Sequence, residues 1–250
     1  MKLYKYRKIN KHTKDIFVNR KIYFPRPIEF NDPFDCQIEF EDDITVDVFK
    51  QFIKKHSMEN SFAEEQVKEW NELAFCSCCG NSLTPLAGTQ IKDAINKFED
   101  YFMNLGILTL SEIQNNILMW SHYAKDHTGI CIEIEVPESE ALTTVKYSES
   151  YPTIKYSEVL LGHDPTDLIK RIIDTKSIDW QYEQERRLFI GTGNREIGLP
   201  GEITAVYFGC KCEDNNVQDI IGLCSNIKNC KFFMSSKSTK EFKLKFSKIN

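Results

Sequence analysis

The sequence lacks several features that would place a protein in a class at once. Its 32 Lys and Arg are outnumbered by 37 Asp and Glu, so no overall positive charge attracts duplex nucleic acid. No apolar run is long enough to span a bilayer, and the opening residues are too charged for a secretory signal. We therefore expect a cytoplasmic protein that has no membrane partner.

Repeats, low-complexity tracts and long Pro/Gly/Ser linkers are also missing, so we expect one domain that spans residues 1–250. Apolar residues make up 41% of the chain, and 17 Phe and 10 Tyr are among its aromatic residues. This composition is typical of a packed globule, and a chain of 250 residues can bury a sizeable core.

Cysteine, by contrast, is plentiful, with nine residues. In the cytosol most of them should be reduced thiols rather than disulfides. Cys76, Cys78 and Cys79 form one cluster, and Cys210 with Cys212 begins another. Only the first cluster contains a spacing that zinc sites use, and no His follows at a finger-like distance. We expect no metal, although the sequence leaves open whether these clusters bind one.

Hydrophobic periodicity predicts an α+β fold. Helical spacing from about residue 45 to 105 predicts a helical insert in the first half of the chain. Elsewhere strands mostly follow one another, which favours a mostly antiparallel mixed sheet. A helix is predicted over Gln114–Ala124, and the alternation in Ile130–Val136 predicts a strand with one face in water.

Residues 30–36 form the first of three segments that combine polar and aromatic side chains. Asn31 and Asp32 precede a proline, which predicts a rigid turn whose side chains cap backbone N–H groups. That role alone would be structural. Phe30 and Phe34 should anchor the turn in the core and hold its polar tips in place, as a ligand site requires.

The second segment is Met119–Gly129. On a helix, Trp120 and Tyr123 would share a face, and His122 would lie four residues from Asp126 and pair with it. The carboxylate would then fix the imidazole tautomer and raise its pKa. An amphipathic helix with core aromatics and a surface His is the alternative. The mixture of side chains favours a cleft wall.

The third segment is residues 179–190. A strand that starts near Arg187 would place Glu183 and Glu185 at its beginning, on the same side of the extended chain. Two carboxylates so placed repel each other, so one should have a raised pKa. A surface network with Arg186 and Arg187 is the alternative. The aromatic residues next to the acids favour a cleft.

In this order, the three segments resemble the bacterial family DUF2971 (domain of unknown function 2971). The resemblance covers most of the chain outside the helical insert and implies no particular activity. The matching positions are Leu3–Tyr6, Phe30–Asp35, Met119–Ala124 with Gly129, Trp180–Arg187 and Val206–Gly209.

A more distant resemblance is to the ADP-ribosyltransferase fold. That resemblance implies a first-strand polar residue on the NAD ribose, an aromatic residue on nicotinamide, and a glutamate, often in Glu-x-Glu, that stabilises a cationic transition state. Tyr6–Arg7, Tyr23 and Glu183–Glu185 resemble these three elements. A carboxylate near the developing oxocarbenium ion is a form of electrostatic preorganisation.

The leading hypothesis is therefore an ADP-ribosyltransferase-like enzyme in a bacterial defence or toxin system, with NAD as its substrate. Its catalytic residues would be Glu185 as the transition-state anchor, Glu183 to orient the acceptor, and His122. The expected NAD-binding residues are Tyr6, Arg7, Tyr23, Asn31, Asp32, Trp120 and Tyr123.

Two alternatives stay open. One is a non-catalytic nucleotide-sensing or protein-interaction module, and the other is a metal-dependent nuclease or hydrolase built on His122, Asp126 and the carboxylates. The expected partners are a nucleotide or small molecule, with a protein or nucleic acid as acceptor. All these assignments require Tyr6, Asn31, His122 and Glu185 to line one pocket.

Overall fold

The computed structural model describes residues 1–59, 63–76, 82–139 and 141–249, with only the backbone of residues 59, 73, 75 and 76. The helices are α1 (Lys11–Asn19), α2 (Val46–Glu59), α3 (Glu64–Ala74), α4 (Pro85–Met103), α5 (Ile117–His122), α6 (Tyr156–Leu160), α7 (Pro165–Ile173) and α8 (Asp214–Leu223), with 3-10 helices at Pro27–Glu29 and Ile178–Glu183. Among these described residues, no helix is both long and apolar enough to cross a bilayer.

The strands lie before, between and after these helices, and several follow one another directly. They are β1 (Lys2–Arg7), β2 (Lys21–Phe24), β3 (Glu39–Glu41), β4 (Phe75–Cys76), β5 (Ser82–Leu83), β6 (Gly106–Ser111), β7 (Ile130–Glu135), β8 (Leu142–Thr144), β9 (Lys146–Ser148), β10 (Thr153–Lys155), β11 (Thr175–Ser177), β12 (Glu185–Ile190), β13 (Arg195–Gly198), β14 (Glu202–Phe208), β15 (Lys231–Lys237) and β16 (Leu244–Ile249).

An eight-stranded sheet organises the molecule, in the order β16-β15-β14-β7-β1-β6-β12-β8. Its neighbouring strands are antiparallel, except for the parallel pair β14 and β15. The α+β class and the mostly antiparallel mixed sheet are thus confirmed. Short two-stranded sheets pair β3 with β10, β9 with β11 and β2 with β13; β3, β10, β11 and β13 are too short for their periodicity to predict them.

The sheet is split between β1 and β6. These strands pair at one position, Tyr4 opposite Ser111. By contrast, β1 pairs with β7 over six positions, and so does β6 with β12. Beyond Tyr4, therefore, β1 diverges from β6, and side chains from both strands border the space that opens between them.

The main core cluster holds α1, β2 and α8 against the sheet. It joins Ile16 and Phe17 of α1 to Leu3 of β1, Ile130 of β7 and Ile220 of α8. Helices α2, α3, α4 and α6 pack in a separate cluster. Helices α2 to α4 thus occupy the residues for which helical periodicity was found, while their status as an insert in a single domain stays a prediction.

Helix α5 is shorter than predicted. It starts at Ile117, where the Asn116 side chain caps it, and ends at His122. Lys125, Asp126 and His127 then have φ of 48°, 54° and 67°, a left-handed backbone that cannot continue an α-helix. Predicted residues 114–116 and 123–124 therefore lie outside the helix.

Candidate functional site

A cavity of about 1320 Å³ lies at the split in the sheet. Lys5 and Arg7 of β1 face it from one side, and Thr109 and Ser111 of β6 from the other. The predicted site residues on its wall are Tyr6, Arg7, Tyr23, Asn31, His122, Tyr123, Glu183 and Glu185. Segments far apart in sequence therefore meet at one cavity, as the site assignments require; the roles given to these residues stay predictions.

Two residues predicted to contact the ligand lie elsewhere. Trp120 is fully buried, donates its indole N–H to the carbonyl of Gln114 at 2.8 Å and packs edge-on against Tyr6. Asp32 is not on the cavity wall, and its carboxylate accepts the Phe34 N–H at 2.9 Å, which closes the turn. Both assignments are corrected, because core packing and local turn formation already use these side chains.

The turn at residues 30–36 is anchored on one side only. Phe30 packs against the core and lies 5.8 Å from the guanidinium of Arg187, whereas Phe34 is 64% exposed. The prediction that both rings anchor the turn was therefore wrong for Phe34. The turn places Asp35 in the interior, where it is 6% exposed.

Arg187 is the centre of a buried ion network. Its guanidinium is fully buried and binds both oxygens of Asp35, at 3.0 and 2.7 Å. It also donates to both oxygens of Glu185, at 2.8 and 3.3 Å, and to the Ile173 carbonyl at 2.8 Å. Arg187 and Glu185 share a strand face because they lie two residues apart. The alternative of a surface network is therefore wrong for this arginine.

Lys176 is the second cation of the network. Its ammonium donates to Glu183 at 2.6 Å and to Glu185 at 2.8 Å, and lies 3.6 Å from Asp35. The Trp180 ring lies 5.1 Å from the same nitrogen. Lys176 follows α7 in the sequence, and no pattern around it distinguishes it from a surface lysine. The sequence therefore gave no signal for its role. Asp35 and Arg187 were in recognised segments but were given no role.

Glu183 and Glu185 differ in pKa, and one of them has a raised pKa, as predicted. Burial raises the pKa of Glu185, but the charges and hydrogen bonds of Arg187 and Lys176 outweigh burial and hold it well below its usual range. For Glu183 burial is the larger effect, and its pKa is raised despite Lys176. Environments that drive the pKa values of two acids apart in this way are typical of sites that need one ionised and one protonatable group.

One oxygen of Glu183 lacks a partner. Oε2 accepts the Lys176 hydrogen bond, while Oε1 is buried and receives no hydrogen bond from any residue within the described ranges. The Tyr123 phenol lies beside this carboxyl, and its hydrogen bonding lowers the pKa of Glu183, but the contact falls short of full hydrogen-bond geometry. Because an unpartnered buried oxygen is costly, Glu183 is ready to accept a hydrogen bond from a ligand.

His122 contacts Tyr182 and not Asp126. Its Nδ1 lies 3.1 Å from the Tyr182 hydroxyl, and its ring meets the edges of Trp180 and Tyr182. The predicted pair with Asp126 requires a continuous helix, which ends at His122 instead. His122, Trp180 and Tyr182 thus form an aromatic cluster beside the acid pair.

Lys5 is a further cavity residue, and the sequence analysis gave it no role. Its half-buried side chain donates to the carbonyl and the hydroxyl of Thr109, at 2.7 and 3.1 Å. Burial, followed by the charge of Arg7, lowers its pKa to about 7. A strand position between Leu3 and Arg7 was the available signal that Lys5 points inward.

Arg7 also has unused hydrogen-bonding capacity. Its Nε is buried and has no hydrogen-bond partner in the part of the chain that the structure describes. The left-handed turn after α5 packs against its backbone, since a Cβ on Gly129 would lie 2.3 Å from the Arg7 carbonyl oxygen. Gly129 is therefore required by this close approach, and not only to end the helix.

The sequence left open whether the cysteine clusters bind a metal. Among the described residues, no group of three or more His, Cys, Asp or Glu side chains is arranged to hold a metal ion. Cys78, Cys79 and the side chain of Cys76 lie outside the described residues, whereas Cys210 and Cys212 are half-buried free thiols.

Together these features define a class of protein: an α+β domain with a split antiparallel sheet, whose split opens over a buried ion network. Residues 119–188 match the model of a family described as "Protein of unknown function (DUF2971)". This match confirms the resemblance to DUF2971 over the part of the chain that supplies α5, Lys176, the acid pair and Arg187. Comparison with curated proteins and with solved structures gave no match.

Proposed function

We propose that this protein is an ADP-ribosyltransferase-like enzyme whose substrate, NAD, occupies the cavity. The observation that carries the proposal is that a single cavity joins an acid pair to a cationic wall. NAD has a diphosphate, which requires cations, and a ribosyl bond whose cleavage develops positive charge, which requires an anion. The volume of about 1320 Å³ exceeds the roughly 300–1,000 Å³ of ordinary small-molecule sites and suits a dinucleotide.

At the acidic end we assign the ribose contact to Glu183 rather than Glu185. Glu183 has an unpartnered oxygen, whereas Arg187 and Lys176 occupy both oxygens of Glu185. As the bond to nicotinamide breaks, its electron pair leaves with the ring nitrogen and the ribose carbon becomes cationic. The Glu183 carboxylate would stabilise that cation before the acceptor adds, and Lys176 would hold the carboxylate in place.

At the cationic end Arg7 is the main candidate for a diphosphate contact. Its buried Nε donor is without a partner in the described structure, and a phosphate oxygen would satisfy it with a charge-assisted hydrogen bond. Lys8 and Lys21 line the same wall. Tyr4 is level with Glu185 across β6, so Arg7 lies three residues further along β1, away from the acid pair.

Nicotinamide release from NAD tests this proposal. We expect Glu183→Gln to reduce turnover by about 100-fold or more, the loss usual when one transition-state contact is removed. Glu133→Gln is the matched control, because Glu133 is an equally buried glutamate that does not line the cavity. Full turnover in Glu183→Gln, or equal losses in both variants, would contradict the assignment.

The acceptor and the biological setting are part of the same proposal. We infer a protein or nucleic-acid acceptor and a role in bacterial defence or as a toxin. Incubation of the enzyme with labelled NAD and cell extract should transfer label to a macromolecule. If the label appears only in free ADP-ribose, the enzyme is an NAD hydrolase and the acceptor proposal is wrong.

One observation favours a second candidate, a non-catalytic nucleotide sensor. All three carboxylates of the network pair with Lys176 or Arg187, an arrangement that also suits a rigid binding site. A sensor would be stabilised against heat by NAD or another nucleotide while leaving it intact. Consumption of NAD would support the enzyme and contradict the sensor.

A further inference from the structure

The amine of Lys5 has an environment suited to a nucleophile. Its two hydrogen bonds, both to oxygens of Thr109, match the two N–H bonds of a neutral amine. In that form the lone pair is not used by either contact. Because Lys5 lines the cavity, a ligand can reach this lone pair.

The surroundings of Lys5 favour its neutral form. Burial is the main effect that lowers its pKa, and Arg7 on the same strand and Lys176 on β11 add to it. Glu185 on β12 and Glu183 before it act in the opposite direction, but the pKa still falls to about 7. A lysine with an ordinary pKa is almost entirely protonated at neutral pH, and buried lysines with lowered pKa values form Schiff bases.

We propose that Lys5 is a nucleophilic amine that forms an imine with an aldehyde group on an anionic ligand bound in the cavity. The Nζ lone pair attacks the carbonyl carbon, a C–N bond forms, and the C=O π electrons move to oxygen. The carbinolamine then loses the hydroxyl group and a proton as water, which leaves a C=N bond. No oxidant or reductant takes part.

The groups near Lys5 supply the rest of this chemistry. The unpartnered Nε of Arg7 and the neighbouring Lys8 favour a ligand with a phosphate-type group. Glu183 lines the same cavity, and its raised pKa lets it carry the proton that the departing hydroxyl needs. The ligand class is therefore an aldehyde with an attached phosphate.

Pyridoxal 5′-phosphate is a suitable probe because it combines an aldehyde with a phosphate. Imine formed at pH 7 is reduced with borohydride, and the modified lysines are mapped by peptide mass spectrometry. We expect Lys5 to be labelled at least roughly tenfold faster than a lysine of ordinary pKa, since far more of its amine is neutral. Labelling that is no faster at Lys5 than at exposed lysines would overturn the proposal.

Two variants and a second probe sharpen the result. Lys5→Arg keeps the positive charge and should abolish the fast label, whereas Lys11→Arg, at an exposed lysine that does not line the cavity, should retain it. Pyridoxal without phosphate should label Lys5 several-fold more slowly, and an equal rate would overturn the anionic part of the proposal. If Lys5→Arg does not fold, the pH profile in the native protein decides: a midpoint near 7 supports the proposal and one above about 9.5 overturns it.

This inference goes beyond NAD chemistry and is separable from it. If the native protein releases no nicotinamide from NAD while Lys5 is labelled fast, the NAD proposal falls and the Lys5 proposal stands. Conversely, full NAD turnover without preferential labelling at Lys5 would remove this proposal alone.

Discussion

Two buried glutamates, Glu133 on β7 and Glu183 just before β12, are each 3% exposed but have very different surroundings. Oε1 of Glu133 accepts from Thr204 at 2.7 Å and pairs with Lys2 at 2.9 Å. Its Oε2 accepts from Tyr207 at 2.9 Å and from Tyr4 at 3.2 Å. Both oxygens of Glu133 are satisfied, whereas Glu183 keeps one unpartnered oxygen.

The pKa values reflect the same difference. Burial raises the pKa of Glu133, but hydrogen bonds from Lys2, Thr204 and Tyr207 outweigh burial and lower it. Glu133 is thus an ionised structural group in the middle of the sheet. It also corrects the expected water-facing side of β7: the strand lies between β1 and β14, and the Glu133 charge is neutralised inside the protein.

The comparison shows that burial of charge does not by itself mark a functional site. At Glu133 every oxygen has a protein partner and no cavity is adjacent among those described. Glu183 lines a large cavity and has an oxygen without a partner among the described residues. A ligand can bind favourably where one atom of an otherwise paired network lacks a hydrogen-bond partner.

The largest expected effect is at the centre of the network. Arg187→Met should lower the free energy of unfolding by about 3–5 kcal/mol, because Asp35 and Glu185 would be left buried without their main cation. Arg186→Met is the control: Arg186 pairs with the partly exposed Glu112 and should cost at most about 1 kcal/mol. Urea denaturation of both variants measures the difference, and similar losses would mean that the network adds no stability.

A smaller effect on stability distinguishes Glu133 from Glu183. Glu133→Gln should cost about 1–3 kcal/mol, since a satisfied buried carboxylate loses charge-assisted hydrogen bonds. Glu183→Gln should cost less than about 1 kcal/mol, because its ionised form is already disfavoured and its Oε1 has no bond to lose. Thermal unfolding at fixed pH compares them. A larger cost at Glu183 would make it the structural member of the pair.

The last effect is a pH dependence that comes from Lys5, and solvent around this half-buried side chain reduces its size. Its pKa is about 7 in the folded protein and near 10.5 when unfolded, so between these values the unfolded chain binds more protons. Stability should therefore rise with pH from 7 towards 9.5, with a slope from this group of at most about 1.4 kcal/mol per pH unit.

Variants isolate this slope from other titrations. Lys5→Met should flatten the rise in unfolding free energy between pH 7 and 9.5, while Lys8→Met should leave it unchanged. Denaturation curves at several pH values provide the measurement. An unchanged slope in Lys5→Met would mean that the Lys5 amine titrates normally and would weaken its proposed role in the cavity.

Much of the fold was predictable from local patterns. The strand β7 and the helices α2 to α4 lie close to their predicted ranges, because periodicity records which side chains face a core. The end of α5 was not predictable from periodicity. The predicted helix ran to Ala124, whereas α5 ends at His122 and three left-handed residues follow, in a turn that packs on Arg7.

The candidate site was predictable in part. The sequence by itself determined the three segments and the acid pair with one raised pKa, since these depend on residues close together in the chain. Only the tertiary structure decided which charges meet. Asp35 and Arg187 bind each other across 152 positions, Lys176 reaches both glutamates, and Lys5 faces the cavity because β1 and β6 diverge after one pair. Such contacts depend on how strands and helices are packed, and no local spacing encodes them.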